Sequence, residues 1–214
     1  MRLLAILSFA ILFASSCTLR QSYTFNQDLS GTYELSIDMS AMAALAGGED
    51  GEEDVVGETM KSLNIDSIQE AMNIQPGISN AVMKEEGMIL SFSYNFSNVE
   101  VLNTSLKDMD LGSALSGKEK KNSETPSFEV KGKKLKYNSP ELDSDSEKDG
   151  LEGMEGMGGM MKYEVSFKFA QEVKKIKGEN ATLSYDKKTV VLESNLEEMF
   201  SGESGLMDVE IKLK

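Results

Sequence analysis

Histidine and tryptophan are absent from this sequence, and cysteine occurs once, as Cys17. Without histidine, the chain lacks the usual general base of enzymes and the commonest metal ligand in proteins. Serine–histidine and cysteine–histidine catalysis are therefore excluded, and a single cysteine forms neither an intramolecular disulfide nor a thiolate zinc site. Paired carboxylates alone serve glycosidases, but none lies in a recognisable motif here. We expect a protein that is not an enzyme and needs no cofactor.

Positive charge is also scarce. The chain has 22 lysine and arginine residues against 36 aspartate and glutamate residues, which gives a net charge of −14. A strongly acidic surface repels nucleic acid and anionic lipid headgroups. We therefore expect no nucleic-acid partner, and we expect attachment to a membrane to depend on a lipid rather than on a basic patch.

An uncharged apolar run occurs at the start of the chain. Arg2 precedes the apolar residues 3–13, three small residues follow, and Cys17 comes next. This order predicts a secretory signal peptide over residues 1–16, and the run is shorter than the ~20 residues that a membrane-spanning helix needs. Because it ends at cysteine, it resembles a bacterial lipoprotein signal, in which the cysteine is acylated. Plain secretion and a retained anchor are the alternatives.

Acylation of Cys17 would fix the protein to a membrane. A single acyl chain gives marginal binding, whereas two or more hold a protein firmly. We expect palmitate-type chains on Cys17 and a location on the bacterial cell envelope, with the outer membrane favoured over the inner. Residues 17–24 are then predicted as a lipidated tether, and residues 25–214 as a single domain.

Alternation of apolar and polar residues predicts several half-buried strands. The predicted strands and hairpins cover residues 32–39, 78–96, 128–137, 162–169, 172–176, 181–193 and 207–213. The predicted helices cover residues 55–72 with a break near Asn64, a segment that starts at Ser97, and residues 194–200. Together they predict an α+β fold, in which two or three short helices cover the aromatic face of one curved antiparallel sheet.

Two short strings occur twice in the same order. Residues 33–36 (YELS) are repeated at 163–166 (YEVS), and residues 97–100 (SNVE) at 194–197 (SNLE). The second string has the spacing of a helix-capping box in both places. The pattern indicates an internal duplication of strand, hairpin and capped helix, with a helical insertion in the first copy. Chance similarity of strands and caps is the alternative.

A methionine-rich stretch lies in the acidic, glycine-rich residues 139–161, which predict a mobile loop. Thioethers are soft ligands that suit Cu(I), so the methionines are weak candidates for a metal site. An adaptable lid over a hydrophobic groove and a plain loop are the alternatives, and the plain loop is favoured. The acidic residues 143–150 do not match the spacing of an EF-hand loop. The methionines are Met154, Met157, Met160 and Met161.

Aromatic residues on two of the predicted strands are candidates for a ligand site. If the helices cover the sheet incompletely, these side chains line a hydrophobic groove between sheet and helices. The candidates are Phe92, Tyr94, Phe96, Tyr163 and Phe167.

Two segments carry a resemblance to known lipoproteins. Residues 25–42 (FNQDLSGTYELSIDMSAM) and 96–103 (FSNVEVLN) resemble uncharacterised lipoproteins of Bacteroidetes-type bacteria. More distantly, the order strand, helix, hairpin and helix in the first half is similar to the LppM-type lipoprotein domain of mycobacteria. Neither resemblance implies a catalytic residue.

These observations favour a membrane-anchored envelope lipoprotein that acts as a non-catalytic interaction or structural module and contacts a protein partner. The alternative is a carrier or sensor of a hydrophobic, lipid-like ligand held between sheet and helices.

Overall fold

The computed structural model describes residues 18–38, 40, 65–109, 127–139, 161–195, 198 and 207–214. Several predicted features lie outside these residues. They are the signal peptide, Cys17, the first part of the helix predicted over 55–72, and residues 140–160 with Met154, Met157 and Met160.

The described residues form strands and two helices. The strands are β1 (Thr18–Phe25), β2 (Gly31–Asp38), β3 (Ile78–Glu86), β4 (Ile89–Phe96), β5 (Phe128–Lys131), β6 (Lys134–Tyr137), β7 (Lys162–Phe169), β8 (Val173–Lys177), β9 (Ala181–Leu183), β10 (Thr189–Asn195) and β11 (Val209–Leu213). The helices are α1 (Ile65–Asn73) and α2 (Val99–Met109). The α+β class and the predicted hairpins are therefore confirmed.

The larger sheet has seven strands in the order β3-β4-β2-β1-β7-β10-β9. The central strand is β1, which pairs antiparallel with β2 and parallel with β7, so the larger sheet is mixed and the prediction of an antiparallel sheet is wrong at this pairing. The predicted tether over residues 17–24 is therefore wrong for residues 18–24, which form a strand. Leu19, Gln21, Tyr23 and Phe25 all point into the core, and the residues between them face outward.

A second sheet covers part of the aromatic face. It has four strands in the order β5-β6-β11-β8, and all of its pairings are antiparallel. The prediction of a single sheet covered by helices alone is therefore wrong. Strands β5, β6 and β11 are short and amphipathic, and they bury Phe128, Leu135, Tyr137 and Ile211 against the larger sheet.

The two sheets share one hydrophobic core, and aromatic rings join them. The ring centroid of Tyr23 on β1 lies 4.9 Å from that of Phe128 and 6.1 Å from that of Tyr137, both on the smaller sheet. Tyr137 also lies 5.1 Å from Phe167 of β7. Aromatic pairs at these separations add to the free energy gained from burying the rings.

Asparagine side chains cap α2 and join both helices to neighbouring strands by hydrogen bonds. The Asn98 Oδ1 accepts a hydrogen bond of 3.0 Å from the N–H of Val101, so Asn98 caps α2 rather than the predicted Ser97. On α2, the Asn103 amide binds both the N–H and the C=O of Phe128, each at 2.8 Å. On α1, the Asn73 amide does the same to Ala81 of β3, at 3.1 and 3.2 Å.

The two predicted repeat copies have matching strand pairings on either side of β1. In the first, β2 pairs with β4, which pairs with β3; in the second, β7 pairs with β10, which pairs with β9. After β10, the Asn195 Oδ1 accepts a hydrogen bond of 2.7 Å from the N–H of Glu198, as Asn98 does after β4.

Candidate functional site

The structure places all five predicted ligand-facing side chains in the core. Each is at most 5% exposed, and each packs among other core side chains. Phe96 lies 5.7 Å from Phe25, Tyr94 lies 5.1 Å from Tyr33, and Phe167 stacks at 5.4 Å on Tyr23. A ligand that reaches them would have to displace packed side chains. Their role in binding a ligand stays a prediction.

Hydroxyl groups nevertheless form a polar cluster inside this core. The Tyr23 hydroxyl donates to the Oε1 of buried Gln21 at 2.7 Å, and the hydroxyls of Tyr94 and Ser105 lie 2.6 Å apart. Among the described residues, the hydroxyl of Tyr33 is the one buried side-chain polar atom without a hydrogen-bond partner. Buried polar atoms usually have a partner, so this hydroxyl is a local weakness of the core.

Burial also sets the protonation of these tyrosines. Loss of solvation raises the pKa of Tyr23, Tyr33 and Tyr163 well above the ordinary value of 10.0, and it raises the pKa of Tyr94 and Tyr137 as well. For Tyr137, a hydrogen bond with Tyr163 partly opposes that rise. The hydroxyls are therefore neutral at physiological pH, and they serve as hydrogen-bonding groups rather than bases.

Replacing Tyr33 with phenylalanine is expected to stabilise the protein by about 1 kcal/mol, because it removes the buried hydroxyl that lacks a partner. The ring contacts with Tyr23 and Tyr94 remain. Urea unfolding measures the change. The matched control is Tyr94→Phe, which loses the contact with Ser105 and should destabilise by a similar amount. Equal destabilisation by both variants would contradict the unpartnered state of Tyr33.

The outer face of the smaller sheet carries a second candidate site, formed by lysines. The strand registers place four exposed lysines directly beside one another, one on each strand. We call this set the lysine row; it comprises Lys131, Lys134, Lys212 and Lys175.

A second row of charges lies next to the lysine row on the same face. Across the four strands it reads Glu129, Lys136, Glu210 and Lys177, so its charges alternate in sign. The eight side chains together comprise six lysines and two glutamates, which leaves four net positive charges. Nearby lysines lower the pKa of Glu210, chiefly Lys134, whose Nζ donates a hydrogen bond to it.

The lysine row is not among the sites predicted from the sequence, where the acidic net charge favours attachment through a lipid rather than through a basic patch. The sequence feature that indicates the lysine row is the alternation of lysine with apolar residues in short segments, as at Lys134 and Lys136 or at Lys212 and Lys214. The acidic total conceals this signal because net charge says nothing about how the charges are distributed. The row also depends on strand pairing between segments far apart in sequence.

The described residues can be searched for metal-binding groups of side chains and for helices that could span a membrane. No group of three or more His, Cys, Asp or Glu side chains in this part of the chain could hold a metal ion. Of the four methionine candidates, Met161 is described, and its half-buried side chain packs against the core. Neither described helix has the length and apolar character needed to cross a membrane.

No family model and no curated protein matches the chain. Among solved structures, the chain is similar to the folded domain of LppM from Mycobacterium tuberculosis, determined by NMR. The two are 13% identical, with a TM-score of 0.45, over 92% of this chain and 90% of that domain. The predicted resemblance to the LppM-type domain is confirmed as a distant likeness.

Proposed function

We propose that this chain is a membrane-anchored lipoprotein of the bacterial envelope that acts as a non-catalytic interaction module. The observation that carries the proposal is the order of the first 17 residues: an uncharged apolar run over residues 3–13, three small residues and then Cys17. Cleavage before Cys17 would remove residues 1–16 and keep β1, the central strand of the larger sheet, which spans Thr18–Phe25.

An anchor at Cys17 would also orient the domain. Without a tether, the lipid would hold the beginning of β1 close to the membrane surface. The end of β2 at Asp38 and the beginning of β7 at Lys162 lie beside Thr18 in the sheet. The eight residues of β1 would carry the opposite end of the sheet roughly 26 Å from that surface.

An interaction module is better supported than a carrier of a hydrophobic ligand. The aromatic side chains that a carrier would use are packed in the core, whereas the lysine row is exposed on a sheet face. The absence of histidine supports a non-catalytic role.

Substituting Cys17 tests the anchor. In cells given an alkyne analogue of palmitate, the wild-type protein should carry the label and sediment with the envelope. Cys17→Ser should lose the label and the sedimentation, whereas the control Ser16→Ala, which keeps a small residue before the cysteine, should retain both. A wild-type protein that is unlabelled and free of the envelope would overturn the proposal.

Native mass spectrometry separates the module from the carrier. A purified protein whose mass includes its acyl chains and nothing more would support the module. A bound lipid lost on replacing Phe167 by alanine, while the described fold is kept, would favour the carrier.

We also propose that the two repeat copies arose by duplication. Their matching strand pairings around β1 and the matching caps at Asn98 and Asn195 support it. In an experimental structure, β2 and β4 should superimpose on β7 and β10 with the YELS and YEVS strings aligned. An alignment shifted by one residue would contradict the proposal.

A further inference from the structure

We propose that the lysine row binds an acidic segment of a partner protein. The inference rests on the proposed role as an interaction module and names the chemistry of the partner.

The row is unfavourable for the fold by itself. Like charges directly opposite each other on neighbouring strands destabilise a sheet, and here three neighbouring pairs in succession are lysines. Lysine on an edge strand protects a sheet from pairing with another chain. In the lysine row that reason applies only to Lys131 on β5 and Lys175 on β8, which are the two edge strands. Strands β6 and β11 are interior, so protection of an edge does not explain Lys134 and Lys212.

Part of the charge in the row is available to a partner. Lys134 lies 3.3 Å from Glu210, and Lys131 lies 3.9 Å from Glu129. For Lys212 and Lys175, by contrast, no carboxylate of the described residues lies within salt-bridge distance. These two lysines lie on adjacent strands, so an incoming carboxylate could contact both.

The arrangement of charges favours a narrow anionic partner over a flat anionic surface. The row crosses four strands and is about 14 Å long, and the alternating row lies roughly 7 Å away from it. A membrane pressed on this face would bring its headgroups against Glu129 and Glu210. An acidic helix has carboxylates about 5–6 Å apart along one side, close to the ~4.8 Å between strands, and it could lie along the row alone.

Nucleic acid fits this face less well. Proteins that bind single strands use aromatic side chains to stack the bases, and the exposed large apolar residue on these four strands is Val130. Arginine, the usual two-pronged ligand of phosphate, is missing from the row. Lysine acts as a point charge, which suits single carboxylates.

Binding of poly-L-glutamate to the full chain in non-ionic detergent tests the proposal. Fluorescence anisotropy of the labelled polymer should report binding that weakens as salt is added, because exposed charges are screened. Replacing the two interior lysines, in Lys134→Gln with Lys212→Gln, should weaken binding about tenfold. Thermal unfolding of that variant should remain cooperative, because relief of repulsion between neighbouring lysines offsets the lost contact with Glu210.

A charge-matched control keeps the test specific. Lys84→Gln with Lys107→Gln removes two exposed lysines from β3 and α2 and should bind as the wild type does. Three outcomes would overturn the proposal: no binding by the wild type, equal loss in both double variants, or tighter binding of phosphatidylglycerol vesicles or polyphosphate through the lysine row.

The binding experiment and the acylation experiment test separate proposals. A protein that carries the palmitate label and sediments with the envelope but does not bind poly-L-glutamate would refute the acidic partner and leave the lipoprotein proposal unaffected. A protein that binds the polymer through the row but carries no lipid would refute the anchor alone.

Discussion

Replacing Tyr23 with alanine is expected to lower the free energy of unfolding by about 4–8 kcal/mol. Truncating a buried aromatic side chain costs about 3–5 kcal/mol, and a hydrogen-bond partner left without its donor adds about 1–3 kcal/mol. Domains of this kind have a free energy of unfolding of about 5–15 kcal/mol, so one substitution would remove a large share of it. The effect should appear as a lost or strongly shifted urea transition in circular dichroism.

The position of Tyr23 explains the size of the effect. The side chain is 1% exposed, and its ring contacts five other aromatic rings, on both sheets. These rings belong to Phe25, Tyr33, Phe128, Tyr137 and Phe167. Removing the ring opens a cavity between the sheets and leaves the Gln21 Oε1 without the Tyr23 hydroxyl.

Two other substitutions separate packing from hydrogen bonding. Tyr23→Phe keeps the ring contacts and loses the hydroxyl with its hydrogen bonds to Gln21 and Tyr137, so it should cost about 1–3 kcal/mol. Tyr185→Ala removes a fully exposed tyrosine and should change the unfolding free energy by less than about 0.5 kcal/mol. If Tyr23→Ala were no worse than Tyr23→Phe, the ring contacts between the sheets would not be the main source of stability.

Local pattern was enough to predict most strands. In β7, Tyr163, Val165, Phe167 and Phe169 alternate with polar or charged residues, and all four are buried. The hairpin of β5 and β6 was also foreseen, because Gly132 lies between two amphipathic segments. Its φ of 61° is a left-handed conformation that glycine adopts without strain.

The tether prediction failed because of one buried polar residue. Gln21 occupies an inward position of β1, where a strand pattern requires an apolar residue. The hydrogen bond from Tyr23 makes its burial tolerable, since a buried amide is costly only when unpaired. Apolar alternation cannot reveal such a pair, and the polar string TLRQS therefore looked like a linker.

The second sheet and the lysine row were missed for a different reason. Each strand of the smaller sheet has four or five residues, and apart from the hairpin of β5 and β6 its pairings join distant parts of the chain. Lys134 and Lys212, for example, are paired across β6 and β11. Local pattern predicts that such strands exist, but it does not show which sheet they join or which side chains become neighbours.

Replacing Gly31 with alanine is expected to destabilise the protein by about 3 kcal/mol or more, at the upper end of overpacking effects. An added Cβ would lie 1.8 Å from the backbone oxygen of Thr24 and 2.9 Å from the Cζ of Phe96. The backbone oxygen cannot move without separating β1 from β2, which pair along their whole length next to the core.

The matched control for Gly31 is Gly87→Ala, the same chemical change in the turn between β3 and β4. Nothing lies within 4 Å of the added Cβ there, but the φ of 62° is unfavourable for alanine. That strain should cost about 1–2 kcal/mol. Urea midpoints of the two variants compare them directly, and Gly31→Ala should have much the lower one. Equal midpoints would mean that β1 and β2 can separate enough to admit a methyl group, which is incompatible with β1 as a closely packed central strand.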